Sequence, residues 1–599
     1  MTITEPLSPS SPVSLTHDRT GGRWPLRERI GIRRMSLVWM VGATLVLLAI
    51  NVWWLHRFRV GYPLNIDEAA YLNMGFVDAA GLQNGGLTGL WHAFMSSHLQ
   101  APLAPLLTVP FHAVLGWRLA DGFALSLSMW VALMWLTYGI ALRLTTPGWA
   151  AFAGLIIGTT PGITDDARNF LFALPLSVML TAAVWALMRS DGLHRTGWCV
   201  LAGIFLGCAP LSRTMGLAFL PGPLVAAAIQ AAWLPGRRRR LLNLAVMVAA
   251  GVAVGYPWLH ANFSNVLHYL QPPTGVSTPG IGHQQRALWE VAAHDLVLRE
   301  LFVPLAAGLL ACFVVAAVNA RRAVGALRHP RRIKFLDWAH QVPQWGALIP
   351  FATLLAGWLA LSVNVPSLGQ WIPLIPSLVV LAVAALATIR WAAAKWTILV
   401  YLCAIMILNA ISQTDTLGLI SHTRSVYVPV LGTSPIINGN SSLRTLMESA
   451  QEPKGNIVEP LPAVDREWMP LSRSEAGYIL NFAAAHHEPA LVTFASRDPL
   501  FNTNTLQLAG ELWFHQLLRM GQLISNNGHD SVAAYRTELG GVPPGVLGIM
   551  ISVDNGPGGY QPPVDQKFAQ KAAMSLGYVE VHQFVLPDDR RGRVWWRKT

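Results

Sequence analysis

Asn65-Ile66-Asp67-Glu68-Ala69-Ala70-Tyr71 sets two adjacent carboxylates just beyond the first long apolar run of the chain, with an aromatic three residues after the glutamate. Carboxylates near a bilayer are costly unless they are solvated or used. The meaning of this stretch therefore depends on whether its surroundings are membrane. Of the 599 residues, 53% are hydrophobic and 12% charged, against about 25% charged in a soluble protein. Mean hydropathy is +0.41, and apolar runs of membrane length recur along the chain. Both point to a polytopic α-helical membrane protein.

The net charge of +12 could suggest a nucleic-acid surface, but its distribution argues against one. The arginines cluster between apolar runs, as in Arg237-Arg238-Arg239-Arg240 and from Arg321 to Lys334, which is the positive-inside pattern. The expected partners are therefore membrane lipids and not nucleic acid. Cys199, Cys208, Cys312 and Cys403 all lie in apolar runs and read as small core side chains. They form neither a disulfide framework nor a zinc spacing. The phosphate-cradling, dinucleotide and zinc-protease motifs are missing from the sequence.

Residues 1–34 are rich in Ser, Pro and Thr, then in Arg, and read as a disordered cytoplasmic tail. Arg23, Arg27, Arg29, Arg33 and Arg34 precede the first apolar run at 35–56. That run lacks a small-residue cleavage site and ends in Asn51-Val52-Trp53-Trp54, so it reads as an uncleaved helix with its N-terminus inside. Trp53 and Trp54 then mark the outer interface, and Asp67 and Glu68 follow on the outer side. Further spans are expected at 121–142, 149–164, 170–189, 197–211, 215–234, 241–258, 301–320, 345–363, 370–389 and 396–411, about eleven in all. The stretch 101–117 is short and carries Pro102, Pro105 and Pro110. Counting it as a span would put Arg237–Arg240 outside, so it reads as a juxtamembrane or re-entrant segment.

On this count residues 35–411 form the membrane domain, with external loops at 57–120 and 259–300. Residues 412–599 lie outside the membrane. There, charged residues and Gly/Pro turns return. Strands are expected at 490–496, 546–553, 579–586 and 592–597, with a helix over 565–576. The alternation predicts an extracytoplasmic α/β domain at the C-terminus.

A second acidic pair, Asp165-Asp166, falls with Arg168 at the end of an expected span on the same outer face as Asp67 and Glu68. Arg213 also lands at an outer helix end, where the alternative is a snorkelling side chain. His283 and Arg286 occupy the 259–300 loop. Trp91, Trp117 and Trp371 read as interfacial anchors, with sugar stacking as the alternative.

These motifs resemble those of the GT-C membrane glycosyltransferases, in particular glycosyltransferase family 39, the protein O-mannosyltransferase and aminoarabinose transferase group. The acidic motif of the first external loop corresponds to Asp67-Glu68-Ala69-Ala70-Tyr71. A His-Pro-Pro-Leu-like segment is similar to His98-Leu99-Gln100-Ala101-Pro102-Leu103, with residues inserted between His98 and Pro102. Pro161 to Arg168 and Gly207 to Arg213 resemble later family segments. The resemblance covers roughly 35–235. It implies a polyprenyl-phosphate-sugar donor and an envelope acceptor, whether lipid, glycan or protein. It also implies chemistry on the extracytoplasmic side, and the basic topology with no obvious eukaryotic retention signal points to a bacterial inner membrane.

The roles that follow are expectations. Asp67 is the base that takes the acceptor's proton, and Glu68 orients it or binds acceptor. Tyr71 and His98 belong to the substrate site. Asp165 or Asp166 binds sugar, or a divalent metal if one is used. Arg168 and Arg213, with His283 and Arg286 as weaker choices, meet the charge that develops on the leaving phosphate. Two other classes compete. A transporter or flippase of a lipid-linked or anionic substrate would carry its charges mid-span. A non-catalytic envelope assembly protein would not need two acidic pairs.

Overall fold

The computed structural model describes residues 26–59, 64, 66–96, 101–116, 118–270, 345–362, 371–389, 391–414, 424–428, 432–437, 467–496, 498, 500–523, 531–554 and 564–597. The first part of the chain is helical: α1 (Leu26–Phe58), α2 (Ile66–Ser96), α3 (Leu103–Leu115), α4 (Ala120–Leu144), α5 (Pro147–Thr159), α6 (Pro161–Ala167), α7 (Ala173–Arg189), α8 (Thr196–Ser212), α9 (Pro221–Trp233), α10 (Arg237–Ala261) and α11 (Phe263–Leu270). Then come α12 (Trp345–Ser362), α13 (Ile375–Thr388) and α14 (Ala392–Thr414). The expected spans fall on α1, α4 to α10 and α12 to α14, except 301–320, which lies outside the described residues.

Among the described residues, four helical stretches are long and apolar enough to cross a bilayer: Arg34–Arg57, Ala120–Leu144, Thr214–Trp233 and Arg237–Ala261. The protein is therefore a helical integral membrane protein. Shorter apolar helices pack among these four. One continuous core runs from Met40 of α1 through Trp130, Leu174 and Ala202 to Leu378 and Leu402. Glycines allow the closest approach, between α8 and α10. A Cβ on Gly207 would stand 2.3 Å from the carbonyl oxygen of Gly251, so backbone rests on backbone, as small residues permit inside membranes.

α2 and α3 lie between the membrane-length stretches Arg34–Arg57 and Ala120–Leu144. α2 breaks at Gly86, whose φ of +60° is a conformation that glycine reaches without steric cost. α3 has 13 residues, about 20 Å of helix against a hydrocarbon core of about 30 Å. It is tied to α4 by the buried pair of His112 Nδ1 and Asp121 Oδ2.

Trp53 is exposed, as an interface anchor would be, but Trp54 and Trp371 are fully buried. Trp54 turns inward because the Arg168 guanidinium stacks over its ring, 4.3 Å from the centroid. Trp371 sits in the helical core. It is neither an anchor nor a sugar platform. Trp91 is about half exposed, and Trp117 lies outside the described residues.

A small hairpin, β1 (Arg424–Val428) and β2 (Gly432–Ile437), follows α14. The C-terminal domain then runs α15 (Trp468–His486), β3 (Ala490–Phe494), α16 (Thr503–Phe514), β4 (Arg519–Gln522), α17 (Val532–Gly540), β5 (Leu547–Val553), α18 (Gln566–Ser575), β6 (Val579–Val585) and β7 (Arg591–Arg597). Its strands order as β4-β3-β5-β7-β6. β3 is parallel to β4 and β5, and β7 is antiparallel to β5 and β6. Every residue of β5 is buried, as expected of a central strand covered on both faces. Val492, Ile549 and Ile551 face α15 and α16. Met550 and Trp595 face α17 and α18.

Candidate functional site

The acidic motif opens α2, so Asp67 and Glu68 lie in its first turn, where the helix dipole favours negative charge. Adjacent helical residues point about 100° apart, and the two carboxylates meet different surroundings. Glu68 is 1% exposed. Nη2 of Arg59 donates to its Oε1 at 2.6 Å and its Oε2 at 2.8 Å. The backbone N–H of Phe170 donates to Oε1 at 2.9 Å. Asp67 is exposed at its surface, yet the protein around its carboxyl raises its pKa above 3.8. Arg213 pulls the value back down and Glu68 pushes it up. Arg213, the residue that ends α8, thus lies within electrostatic reach of Asp67.

The second acidic segment meets the first through Phe170 and Phe172. Beyond the Phe170–Glu68 bond, the ring of Phe172 stacks on that of Tyr71, with centroids 3.5 Å apart and planes at 18°. Asp165 and Asp166 are buried in α6. Nδ2 of Asn169 donates to the carbonyl of Asp165 at 3.0 Å and to its Oδ1 at 3.4 Å. Arg168 is 1% exposed. Its Nε donates to Oδ1 of Asn51 at 2.7 Å, and its guanidinium caps Trp54 and lies within electrostatic reach of Asp165. Arg168 is thus built into the wall between α1 and α6, while Arg213 lies within electrostatic reach of Asp67. His98, His283 and Arg286 lie outside the described residues. Among the described residues, no three His, Cys, Asp or Glu side chains converge in a way that could hold a metal.

Three features escaped the sequence reading. Arg59 is the ion-pair partner of Glu68. Asp78 follows Asp67 by eleven residues, about three turns, and so shares its side of α2. It is 4% exposed, and burial pushes its pKa up to about 7. An i, i+4, i+7, i+11 scan from Asp67 would have found it. The third feature is the C-terminal domain, which rests on α2. Nδ2 of Asn73 donates to the carbonyl of Asn504 at 3.0 Å. Leu508 of α16 packs with Leu64, Ala69, Leu72 and Phe76. α16 is held straight at its start by a capping box between Asn502 and Thr505.

No family model matches the chain, and no curated protein does. Several solved structures are similar to it. One is the crystal structure of ArnT from Cupriavidus metallidurans bound to undecaprenyl phosphate. The TM-score is 0.46 at 16% identity, over 93% of this chain and 97% of that one. Another is the arabinofuranosyltransferase AftD from Mycobacteria, with TM-score 0.48 at 13% identity, over 91% of this chain and 37% of that one. A third is the S. cerevisiae protein O-mannosyltransferase Pmt1-Pmt2 complex bound to the sugar donor. Here the TM-score is 0.32 at 16% identity, over 40% of this chain and 36% of that one.

Proposed function

We propose that the protein is a membrane glycosyltransferase. It moves a sugar from a polyprenyl-phosphate donor to an envelope acceptor on the extracytoplasmic face of a bacterial inner membrane. One observation carries the reading. Asp67, a surface-open carboxylate of raised pKa, has the guanidinium of Arg213 within electrostatic reach, and Glu68 beside it is locked away from solvent. The site thus offers a base with a cation in reach, which is what displacement of a lipid phosphate requires.

In this mechanism the acceptor hydroxyl gives its proton to Asp67 as its oxygen bonds the anomeric carbon. The bond from that carbon to the phosphate oxygen breaks on the opposite face, and the phosphate leaves with the electron pair. The anomeric configuration inverts. A phosphate leaves without prior protonation, so a single base suffices, unlike the paired carboxyls of glycoside hydrolysis. Arg213 meets the charge that grows on the phosphate. Glu68 is a positioning residue: tied to Arg59 and Phe170, it sets the rotation of the first turn of α2 and thereby aims Asp67. Asp165 or Asp166, from the segment whose Phe172 stacks on Tyr71, binds the sugar.

The test is transfer of radiolabel from a panel of polyprenyl-phosphate sugars into cell-envelope extract. Wild type is expected to move label, and Asp67→Asn, which keeps shape and removes the base, to bind donor without moving it. Equal transfer by the two proteins would sink Asp67 as the base. Failure of wild type to bind any donor would sink the glycosyltransferase reading.

A further inference from the structure

The C-terminal domain holds a cavity of about 690 Å³ between α15 and the end of α16, within the range of small-molecule sites. We propose that this groove binds the saccharide portion of the acceptor; the acceptor role rests on the function proposed above.

The lining has the chemistry of a sugar site. Tyr478 of α15 and Trp513 and Phe514 of α16 line it, and the Tyr478 ring is backed by His582, stacked with centroids 4.2 Å apart. Aromatic rings present a negative π face, on which the weakly positive C–H face of a sugar ring stacks. Polar side chains on α15 supply the rest. Arg473, Ser474 and Asn481 bring donors and acceptors in number, as the hydroxyls on a sugar's rim require. The Arg473 guanidinium lies over the Trp513 ring, 5.7 Å from its centroid, so it is partly ordered before a ligand arrives. This lowers the entropy cost of binding. Gly477 forms the floor. A Cβ there would stand 2.8 Å from the Phe514 ring, so glycine lets the aromatic wall close on α15. A lipid chain would find three polar side chains in its path.

The position fits an acceptor subsite. α16 touches α2 near its start, through Asn504, and lines the groove at its end, through Trp513. Nine residues separate the two, about 14 Å along the helix. One rigid helix therefore links the contact with the helix carrying Asp67 to a sugar platform farther out. An acceptor of several sugar units could lie along it, with one end at Asp67 and an earlier ring on Trp513.

The experiment uses the full chain in nanodiscs on an array of printed envelope-type oligosaccharides. Wild type is expected to retain a subset of them. Trp513→Ala is expected to retain them at least about tenfold more weakly, roughly 1.4 kcal/mol, and Trp513→Phe to recover most of the loss. Asn481→Trp changes an exposed position and fills the groove without touching the core. It is expected to lose binding with an unchanged melting temperature. Retention of no saccharide by wild type, or equal retention by Trp513→Ala and Asn481→Trp, overturns the proposal. The array needs no donor, so a failed transfer assay with intact array binding would count against the catalytic reading alone.

Discussion

Arg59 grips both oxygens of Glu68, at 2.6 and 2.8 Å, and neither side chain is more than 2% exposed. The pair spans the turn between α1 and α2, and the Phe170 N–H completes it from a third segment. Removing one partner of a buried pair leaves the other charge uncompensated, at a cost of about 3–5 kcal/mol. Glu68→Ala is therefore expected to lower the melting temperature in detergent steeply. A paired Arg59→Leu, Glu68→Leu variant is expected to regain much of that stability and little of any transfer activity, because the first turn of α2 loses its anchor. A mild Glu68→Ala phenotype would show that the pair does not set this turn.

Asp67 must be ionised to accept a proton. Its pKa is raised, chiefly by burial, so the transfer rate is expected to fall with decreasing pH at values above the ordinary carboxylate range. Arg213 opposes that rise. Arg213→Gln is then expected to slow the reaction and to move the acid limb of its remaining activity to higher pH. A pH profile of transfer for the two proteins checks this. A limb that stays in place after the substitution would separate Arg213 from Asp67.

Two buried carboxyls make stability itself depend on pH. Asp78 of α2 is raised to about 7 and Glu511 of α16 to about 8, mainly by burial. Oε2 of Glu511 lacks a hydrogen-bond partner among the described residues. Each group binds its proton more tightly folded than unfolded. Its contribution is therefore complete below the unfolded values of 3.8 and 4.5. It fades as pH rises through about 7 for Asp78 and about 8 for Glu511. Asp78→Asn and Glu511→Gln are expected to raise the melting temperature by a few degrees at pH 8.5 and to converge on wild type only below about pH 4, under the unfolded values. Melting curves that run parallel at both pH values would refute the linkage.

The long apolar runs were legible because membrane helices must satisfy their own backbones over a length set by the bilayer. The run at 35–56 became α1, and the mostly apolar stretch at 546–553 became β5. What escaped notice depended on distant contacts. β4 is four residues long and carries Arg519 and Gln522, so no periodicity marks it. Asp67 and Glu68 look alike in sequence, and only the start of α2 at Ile66 decides which one faces inward. Arg59 reads as one more basic residue after a span until Glu68 folds back on it. Asp165, Asp166 and Arg168 were legible as a cluster. The ties of Arg168 to Asn51 and Trp54 come from α1, which the sequence does not show to be a neighbour.

The seat of α16 on α2 affects what a shortened chain can reveal. Leu72 and Phe76 are hidden in part by Leu508. A protein cut after α14 would present those apolar side chains to water on the very helix that bears Asp67. Such a protein would be prone to clump or to let the first turn of α2 drift. Its silence in an assay would report a bared surface as readily as a missing substrate contact. Point changes in the outer groove leave that cover in place and are the cleaner way to separate the two halves of the molecule.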